Sequence, residues 1–458
     1  MSRTREPDLV DGVPRRRIAV ASVVGTTVEF YDFFVYAAAA VTVFPQLFFP
    51  SYDAGAALLA SLATFGLAFV ARPVGSILFG HFGDRMGRKS TLVASLLVMG
   101  VATFLIGVLP TYQQIGLAAP ALLAVLRFAQ GLALGGEWSG AALLATETAA
   151  PGRRAAAGMW PQLGAPLGFL LATAMFLVLL NWQGQHAVGA DGMFLRWGWR
   201  IPFLLSVAMV GIGLYVRLRL TETPVFARAL EKRVSAPIAE VFRTSWRRLI
   251  LGTVVMVATY TLFYLVTTWT LSYGTAKAPP EGIGLGYGYA DFLGLQLIAA
   301  VFFAAMLPIS AALADRAGRR PVLLVFTAAI VAYGTTFGVF LNQDSSPGLI
   351  LAFLITGMTL MGLAFGPMSA VLPELFPTNV RYTGSGVAYN AASVLGPAVA
   401  PFIAAWLAAD HGVRWVGGYL SAAAACSFLA LLVMRETRNT DLGDVNVADH
   451  VGDALHPG

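Results

Sequence analysis

The stretch GHFGDRMGRK, at residues 80–89, recurs in shortened form as ADRAGRRP at residues 314–321. Each copy stands between two long apolar runs and joins an Asp-Arg pair to a glycine and further basic residues. The aspartates Asp84 and Asp315 are 231 positions apart. Recurrence at a fixed separation is the signature of an internal repeat. The chain is therefore predicted to consist of two homologous halves.

A second pair of motifs supports the same repeat. Glu147 and Arg154 follow the fourth apolar run, while Glu374 and Arg381 follow the tenth, each with an offset of 227 positions. Glycine permits a tight reversal between helices, and Asp or Arg at the membrane edge can satisfy helix ends and pair with these acids. We predict that such pairs break and re-form as a gate. The predicted gating residues are Gly80, Asp84, Arg85, Gly87, Arg88, Glu147, Arg154, Asp315, Arg316, Gly318, Arg319, Glu374 and Arg381.

The composition places the protein in a membrane. Of the 458 residues, 57% are hydrophobic and only 12% are charged, and the mean hydropathy is +0.72. An ordinary soluble domain carries about a quarter charged residues. A single core cannot bury so much apolar surface, so that surface must face lipid.

Twelve apolar stretches have the length of a membrane-spanning helix, about 20 residues. The first six are Ile18–Phe44, Ala56–Phe79, Ser90–Leu109, Ala121–Thr146, Ala157–Leu180 and Trp199–Arg219, and the second six are Leu249–Tyr273, Ala290–Leu313, Val322–Leu341, Leu349–Leu372, Thr383–Ala408 and Trp415–Met434. The predicted fold is an all-α membrane protein of two six-helix bundles. Its predicted parts are a tail at 1–17, a bundle at 18–220, a central loop at 221–248, a bundle at 249–435 and a tail at 436–458.

The basic residues predict the orientation. If the N-terminus is cytoplasmic, most Lys and Arg fall in cytoplasmic segments, and the opposite loops keep only Arg196, Arg200, Lys277 and Arg414. This asymmetry follows the positive-inside rule, so both termini are predicted in the cytoplasm, at the plasma or inner membrane. The basic residues are dispersed over short turns without a recognised binding module, which argues against nucleic acid as a partner. The polar C-terminal tail is predicted to be disordered.

Several further motifs resemble the major facilitator superfamily and, within it, the metabolite:proton symporter family. They are VEFYDFFVY at 28–36, ARPVG at 71–75, RFAQG at 127–131, GGEW at 135–138, WRIPF at 199–203 and the stretch 373–389. That family includes carriers of shikimate, α-ketoglutarate, citrate and other carboxylates, and of proline or betaine. The resemblance spans residues 17–437. It implies two bundles around a central cavity, uptake coupled to proton entry and a gating role for both Asp-Arg-Gly turns.

Five charged residues fall well inside predicted spans, away from the span ends, where charges are costly and by default indicate function. They are Glu29, Asp32, Arg72, Arg127 and Glu137, all in the first half. Glu29 and Asp32 are spaced i, i+3 and share a helix face. Counting depth along the helices places Arg127 within reach of Asp32, so a direct pair is expected.

A coupling mechanism follows from these charges. Burial disfavours the charged form of a carboxylate and a neighbouring arginine favours it, so a solute that competes for the arginine is linked to protonation. We predict Asp32, Glu29 or Glu137 as proton carrier and Arg127, with Arg72 second, as the clamp for a substrate carboxylate. The alternative is that these charges are permanent structural pairs.

The second half is predicted to contribute polar and aromatic lining. Tyr260 and Tyr264 on the seventh span, Gln296 on the eighth and Asn390 on the eleventh are the candidates. Aromatic residues in spans also serve as packing or as a lipid belt. On this prediction the second half shapes substrate choice, while the first half carries the coupling charges.

The prediction is thus a secondary transporter of a small metabolite, with an organic acid as the preferred substrate class, functioning as a monomer on the proton gradient with no cofactor and no metal. HExxH, GxSxG and Walker motifs are absent, which argues against an enzyme or pump. Twofold repeats with buried acid-base pairs suit alternating access better than a channel. A symporter of zwitterions such as proline or betaine, or a proton-coupled exporter, remains the alternative.

Overall fold

The computed structural model describes residues 9–10, 13–86, 88–147, 149–150, 152–183, 192–218, 237–378 and 380–440; those among 9–18 and 80–92 are described by their backbone alone. Helix dominates this part of the chain. The two short strands β1, Leu9–Val10, and β2, Val13–Pro14, pair antiparallel ahead of the first helix.

Twelve long helices form in the described residues, six in each half, some with a break. In the first half they are α1 Arg15–Thr42, α2 Ala54–Met86, α3 Arg88–Val108, α4 Ala118–Gly135 with Trp138–Glu147, α5 Arg154–Gln183, and α6 Phe194–Gly198 with Arg200–Leu218. In the second half they are α7 Trp246–Tyr264, Leu265–Trp269 and Thr270–Thr275, α8 Tyr289–Ala317, α9 Arg319–Gly334, α10 Pro347–Phe365 with Met368–Glu374, α11 Arg381–Ser393, Val394–Ala398 and Ala400–Asp410, and α12 Val413–Val433. Short helical segments are Phe44–Phe48, Tyr112–Ile115, Pro237–Thr244 and Phe337–Phe340. Nine of the helices, within the described part, are long and apolar enough to cross a membrane.

Packing follows the predicted division into halves. In the first half α1 lies against α5, α2 lies against α4, and α3 lies against both α4 and α6. In the second half α8 packs on α10, and both α7 and α9 pack on α12. Across the halves, α5 packs against α8 and α2 against α11. The inner surfaces of both halves therefore meet along these two helix pairs.

The contact between α2 and α4 is unusually close because glycines form it. A Cβ atom added at Gly75, Gly131 or Gly135 would overlap a backbone carbonyl of the facing helix. Small residues of this kind let helix backbones approach in a membrane, where tight packing and not hydrophobic burial drives association. The approach brings Arg72 of α2 and Arg127 of α4 into one layer.

Three of the described helices contain π-helical segments that the sequence did not predict, and one of these segments, Phe194–Gly198, begins α6. The segment Leu265–Trp269 interrupts α7, and Val394–Ala398, with Pro397 inside it, interrupts α11. In α7 the amide of Gln296 donates to the carbonyl of Thr267 at 2.7 Å, which satisfies a backbone group that the wider turn frees. Such bulges frequently occur at functional sites.

The C-terminal tail differs from its prediction at its start. Glu436 was expected to begin a disordered segment, but its Oε1 accepts from the backbone N of Arg319 at 2.8 Å and its Oε2 from that of Arg320 at 3.0 Å. A carboxylate at a helix N-terminus satisfies orphan N–H groups and complements the helix dipole. Residues 436–440 are therefore ordered against the start of α9, and residues 441–458 lie outside the described residues.

Other helix boundaries also differ from those predicted from the sequence. Helix α1 starts at Arg15 and not at Ile18, and the ninth predicted span, to Leu341, is divided into α9 and a separate turn Phe337–Phe340. Arginine is a good helix former, so a hydropathy boundary underestimates the helix. Within and beside the predicted central loop, Pro237–Thr244 forms a helix, and residues 219–236 lie outside the described residues.

Candidate functional site

The five charges predicted inside the membrane are all buried. Asp32 and Arg127 are 0% exposed, and Glu29, Arg72 and Glu137 are nearly so. Hydrocarbon contact is avoided because other helices pack around α1, above all α5 and α6. The five side chains therefore turn inward, whereas their functional roles stay predictions.

Arg127 lies in a box of aromatic rings. Its Cζ is 4.0 Å from the ring centre of Tyr36, 4.3 Å from that of Phe33 and 5.1 Å from that of Phe65. A guanidinium over ring faces gains cation–π attraction that is stronger when water is excluded. The rings thus replace part of the hydration that the buried cation has lost.

One edge of the Arg127 guanidinium has no hydrogen-bond acceptor. Nη1 donates to Oε1 of Gln130 at 3.0 Å, whereas Nε and Nη2 have no partner among the described residues. These two nitrogens form the side-on fork with which arginine binds a carboxylate in bidentate fashion. A buried guanidinium with two unpaired donors in this geometry is suited to bind a carboxylate.

Arg127 and Asp32 do not form the direct pair that the sequence predicted. Oδ2 of Asp32 accepts from Oγ1 of Thr103 at 3.1 Å, and Oδ1 has no hydrogen-bond partner in the part of the chain that is described. Gln130 and Thr103 stand between the two charges, because α3 packs against α4 and inserts Thr103 there. Counting depth along each helix took no account of the intervening helix α3.

Arg72 shares its surroundings with Arg127. Its Cζ lies 4.8 Å from the ring centre of Phe69 and 5.0 Å from that of Phe33, and its Nε has no acceptor among the described groups. Phe33 therefore contacts both cations. The two guanidiniums give this layer a positive balance when a nearby carboxylate is protonated.

Aromatic residues of α7 close the box from the second half. Tyr264 packs at 5.3 Å from Phe69 and 5.8 Å from Phe65, measured between ring centres. Tyr260 lies 5.3 Å from Tyr389. Tyr264 thus stands at the boundary between the halves, whereas the contact of Tyr260 with Tyr389 lies within the second half.

The two predicted amides have other contacts in this conformation. Besides Thr267, the amide of Gln296 reaches Oγ1 of Thr270 at 3.3 Å, and Nδ2 of Asn390 donates to the carbonyl of Gly135 at 2.7 Å across the halves. Gln296 therefore holds the π-helical segment of α7, and Asn390 holds α11 on α4. Their roles as substrate ligands stay predictions.

Some residues of the site were not among the candidates. Tyr36, Phe33 and Gln130 lie in the quoted motifs at 28–36 and 127–131, and Gln130 stands one helical turn after Arg127. The i, i+3 spacing was the available signal for Gln130. Thr103 and Phe65 carry no such signal, because ordinary residues on apolar spans give none.

We call the end of the bundle with Asp315 and Glu374 the turn face. Asp315 accepts from the backbone N of Ala155 at 3.1 Å and of Ala156 at 2.9 Å, so an acid of the second half caps α5 of the first. Arg319 is fully buried and pairs with Asp315 at 3.1 Å and with Glu374 at 3.2 Å. The predicted gating residues of the second half therefore do come together.

Two further pairs connect the halves in mirrored fashion. Arg154 lies 3.7 Å from Glu374, and Arg381 lies 4.0 Å from Glu147. Each repeat supplies its arginine to the acid of the other. Buried charges are therefore not confined to the first half, because Arg319 and Glu374 of the second half are buried at the turn face.

The rest of the predicted gate is only partly visible. Gly318 has φ 101° and ends α8, a conformation that favours glycine, and the carbonyl of Arg316 accepts from Arg438 at 2.7 Å. The side chains of Asp84, Arg85 and Arg88 lie outside the described residues, as does Gly87. Gly80 belongs to α2, which runs to Met86.

The turn face is closed above this network as well. Tyr382 Oη donates to the carbonyl of Gly136 at 2.7 Å, and Nε2 of Gln162 to that of Phe365 at 3.1 Å, both across the halves. Trp138 stacks on Tyr389 with ring centres 3.8 Å apart. Access to the Arg127 layer from the turn face is therefore blocked.

The opposite end holds an open cavity, which we call the vestibule. Its volume is about 1170 Å³, and its lining is contributed by both halves, including Thr42, Gln46, Asn181, Ser272, Lys277 and Asp291. Between the vestibule and the Arg127 layer, Tyr289 Oη donates to the carbonyl of Ala38 at 3.2 Å. A solute in the vestibule is thus separated from the site by a thin barrier.

The cross-half pairs make a prediction for the gate. Arg154→Gln is expected to lower the ratio of molecules with a closed turn face to molecules with an open one about two- to fivefold, since a partly exposed ion pair contributes about 0.5–1 kcal/mol. The measurement is the rate at which a methanethiosulfonate reagent labels Ser272→Cys in the vestibule, in a Cys426→Ala background. Labelling should slow as the vestibule closes.

Arg320→Gln is the matched control for Arg154. Its guanidinium also lies at the turn face but donates to the carbonyls of Leu431 and Leu432, within the second half. Unchanged labelling is expected for it. Equal slowing in both variants would show that the cross-half pair has no special part in closure.

Comparison with known proteins gives one consistent result. The family described as sugar (and other) transporter matches residues 18–448. The inner membrane metabolite transport protein YhjE of Escherichia coli (strain K12) is 51% identical over 430 residues, 93% of this chain and 96% of that protein. The shikimate transporter of the same organism is 34% identical over 431 residues, 92% and 95% of the two chains.

Two further matches extend the comparison. The proline/betaine transporter of Escherichia coli (strain K12) is 31% identical over 454 residues, 96% of this chain and 87% of that one. Among solved structures, the proton:xylose symporter XylE bound to 6-bromo-6-deoxy-D-glucose has a TM-score of 0.72 at 16% identity, covering 93% and 97% of the two chains. At that identity the likeness shows the fold.

Proposed function

Because this chain belongs to the sugar (and other) transporter family of the major facilitator superfamily, we propose that it carries a small organic acid together with protons by alternating access. The coarser part of this statement is shown by the relatives. The chain is a multi-pass membrane transporter of small metabolites and not an enzyme. The acid substrate, the proton coupling and the direction of uptake are the proposal.

The observation that carries the proposal is the empty fork of Arg127. Nε and Nη2 have no acceptor among the described residues although the side chain is fully buried. An unsatisfied buried donor costs free energy, more so when it is charged. A carboxylate bound there would regain two charge-assisted hydrogen bonds, so the site is complementary to an organic anion.

Proton coupling is assigned to Asp32. This carboxylate is fully buried, has one oxygen without a partner among the described groups, and lies two side chains from Arg127. A neutral Asp32 leaves the cations in excess and favours an anionic solute; a charged one opposes it. Glu29 and Glu137 are the other carboxylates that fit this role. The proton gradient then supplies the energy, with no cofactor.

The orientation completes the cycle. The positive-inside rule places the turn face and both termini in the cytoplasm and the vestibule outside the cell. Solute enters the vestibule and passes the Ala38–Tyr289 contact. It reaches Arg127, and the turn face then opens as its cross-half pairs break. The two halves contact each other along the helix pairs α2–α11 and α5–α8. We expect the halves to rock against each other at these contacts.

A zwitterion such as betaine is the second candidate, since a relative is named a proline/betaine transporter. Recognition of a quaternary ammonium uses a cage of aromatic faces. Here Phe33, Tyr36 and Phe65 already hold the guanidinium of Arg127, and Phe33 also faces that of Arg72. A cage filled by cations of the protein disfavours a cationic solute, so the organic acid is preferred.

The test is uptake into proteoliposomes after a pH jump, with shikimate, dicarboxylates, aromatic acids and betaine as solutes. Acid outside is expected to drive accumulation of at least one carboxylate, and a protonophore to abolish it. Accumulation of betaine alone would replace the acid with the zwitterion. Absence of proton-dependent flux for every solute would end the symport proposal.

A further inference from the structure

A continuous chain of buried hydrogen bonds joins Arg127 to Asp32. Nη1 of Arg127 lies 3.0 Å from Oε1 of Gln130, Nε2 of Gln130 lies 2.7 Å from Oγ1 of Thr103, and that hydroxyl lies 3.1 Å from Oδ2 of Asp32. None of the four side chains is more than 1% exposed. In such surroundings hydrogen bonds polarise one another and are stronger than in water.

Chemistry fixes the direction of the first two bonds. A guanidinium can only donate, so Gln130 must turn its amide oxygen toward Arg127 and its NH₂ group toward Thr103. An NH₂ group also only donates, so Oγ1 of Thr103 must accept. The chain therefore runs from donor to acceptor, away from the cation.

The hydroxyl proton of Thr103 has two places to go. Oγ1 lies 2.9 Å from the carbonyl oxygen of Met99 and 3.1 Å from Oδ2 of Asp32. A charged Asp32 can only accept, so it takes this proton and every bond points from guanidinium to carboxylate. A protonated Asp32 can donate its own O–H to Oγ1, and the hydroxyl then turns to Met99.

We propose that Thr103 and Gln130 form a relay that reports the protonation state of Asp32 to the substrate fork of Arg127. The relay deepens the function proposed above and rests on it. With Asp32 charged, the aligned bonds tie the guanidinium to a distant anion. With Asp32 neutral, the last bond reverses and the distant anion no longer competes with a solute carboxylate for the charge of the guanidinium, so the fork binds that carboxylate more tightly and proton and acid bind together.

No covalent bond within the relay is exchanged. One proton from the outer solution forms an O–H bond at Oδ2 of Asp32, and the same bond breaks when the proton leaves on the other side. Thr103 keeps its own proton, and its hydroxyl hydrogen only rotates about the Cβ–Oγ1 bond. Gln130 keeps both of its hydrogen bonds. Thr103 and Gln130 are thus positioning residues, not proton carriers.

The helices packed around Asp32 carry other charged or titratable groups. They include Glu29, Tyr31 and Tyr36 on α1, Arg72 on α2, Arg127 and Glu137 on α4, and Arg200 on α6, which donates to the carbonyls of Gly107 and Leu109. Helix α3 has Arg88 and Lys89 in its first turn, where side chains lie outside the described residues, and α5 has Arg154 at the turn face. Variants of Thr103 leave this set of charges unchanged.

The first measurement needs no solute. Infrared difference spectra of the purified full chain in lipid follow the carbonyl stretch of a protonated carboxylic acid against pH, and Asp32→Asn identifies the band by its loss. Thr103→Val is expected to move the pH midpoint of this band by about one to two units, as one hydrogen bond to a charged group would. Thr103→Ser, which keeps the hydroxyl, should restore it.

Thr356→Val is the matched control. Thr356 makes the same type of bond to its own helix, to the carbonyl of Ala352 at 2.8 Å, on an exposed part of α10. In Thr356→Val the pH midpoint of the Asp32 infrared band should equal that of the wild type. If Thr103→Val also leaves the midpoint in place, the relay is overturned, whether or not any acid is transported.

The second measurement uses shikimate as the probe. Wild-type KM is expected to rise about tenfold from pH 6 to pH 8, and Thr103→Val or Gln130→Met should reduce this ratio toward one. Gln130→Met cuts the relay at another bond and serves if the valine variant does not fold. A moved infrared midpoint without shikimate transport supports the relay and counts against this substrate; an unchanged KM ratio in folded variants overturns the relay.

Discussion

Lysine in place of Arg127 is expected to lower proton-driven uptake of the carried acid at least about 100-fold. An ammonium keeps the charge but offers no planar fork. It would lose two charge-assisted bonds to the solute, at about 1.5 kcal/mol each, and a total of about 3 kcal/mol corresponds to roughly two powers of ten. Arg127→Gln, which also removes the charge, should reduce uptake at least as far.

Uptake per molecule in the membrane is the quantity to compare, with protein abundance measured by immunoblot. Arg200→Lys is the matched control, because Arg200 is a partly buried arginine whose Nη1 donates at 2.8 Å to the carbonyls of Gly107 and Leu109 and faces no solute. It should stay within about threefold of wild type. Uptake by Arg127→Lys within tenfold of wild type would remove Arg127 as the clamp.

Asparagine in place of Asp32 is expected to abolish accumulation against a gradient while solute exchange without net proton movement persists at a measurable rate. Asparagine resembles the protonated acid in shape and hydrogen bonding but cannot release a proton. The linkage between solute and proton is then cut. Uptake should lose its dependence on pH between pH 5.5 and pH 8.5.

Three companion variants make the Asp32 experiment decisive. Asp291→Asn changes an exposed acid of the vestibule and should leave pH-driven accumulation intact. Glu29→Gln and Glu137→Gln remove the other two candidate carboxylates. If accumulation survives in Asp32→Asn but is lost in Glu29→Gln or Glu137→Gln, the role of proton carrier belongs to Glu29 or Glu137 and not to Asp32.

The fold was predictable because its signals are local. Twelve apolar spans, the 227-position repeat of Glu147 and Glu374, and the inward charges Asp32 and Arg127 can all be read along one dimension. Hydropathy averages over a span, and the cost of a charge in lipid applies wherever that charge stands. Ends were less predictable, as α1 shows by starting at Arg15.

The contacts between the halves at the turn face were also partly predictable, and for a related reason. A repeat supplies each half with the same acid and arginine, so the symmetry suggested that Glu374 and Arg154 would meet. It did not suggest that the tail would join them. Glu436 is bound at the start of α9, although its segment is short and polar and gives no sign of order.

The order of residues is thus enough to indicate a two-halved membrane bundle, its repeated turns and the charges inside its spans. Which polar atoms meet depends on packing, since Asp32 is connected to Arg127 through Thr103 and Gln130. Spacing along a helix sets the height of a side chain, but it does not set the rotation of each helix or the neighbour that lies between two helices. Those are settled by packing, here by glycines that draw α2 onto α4 and by α3 inserted beside them.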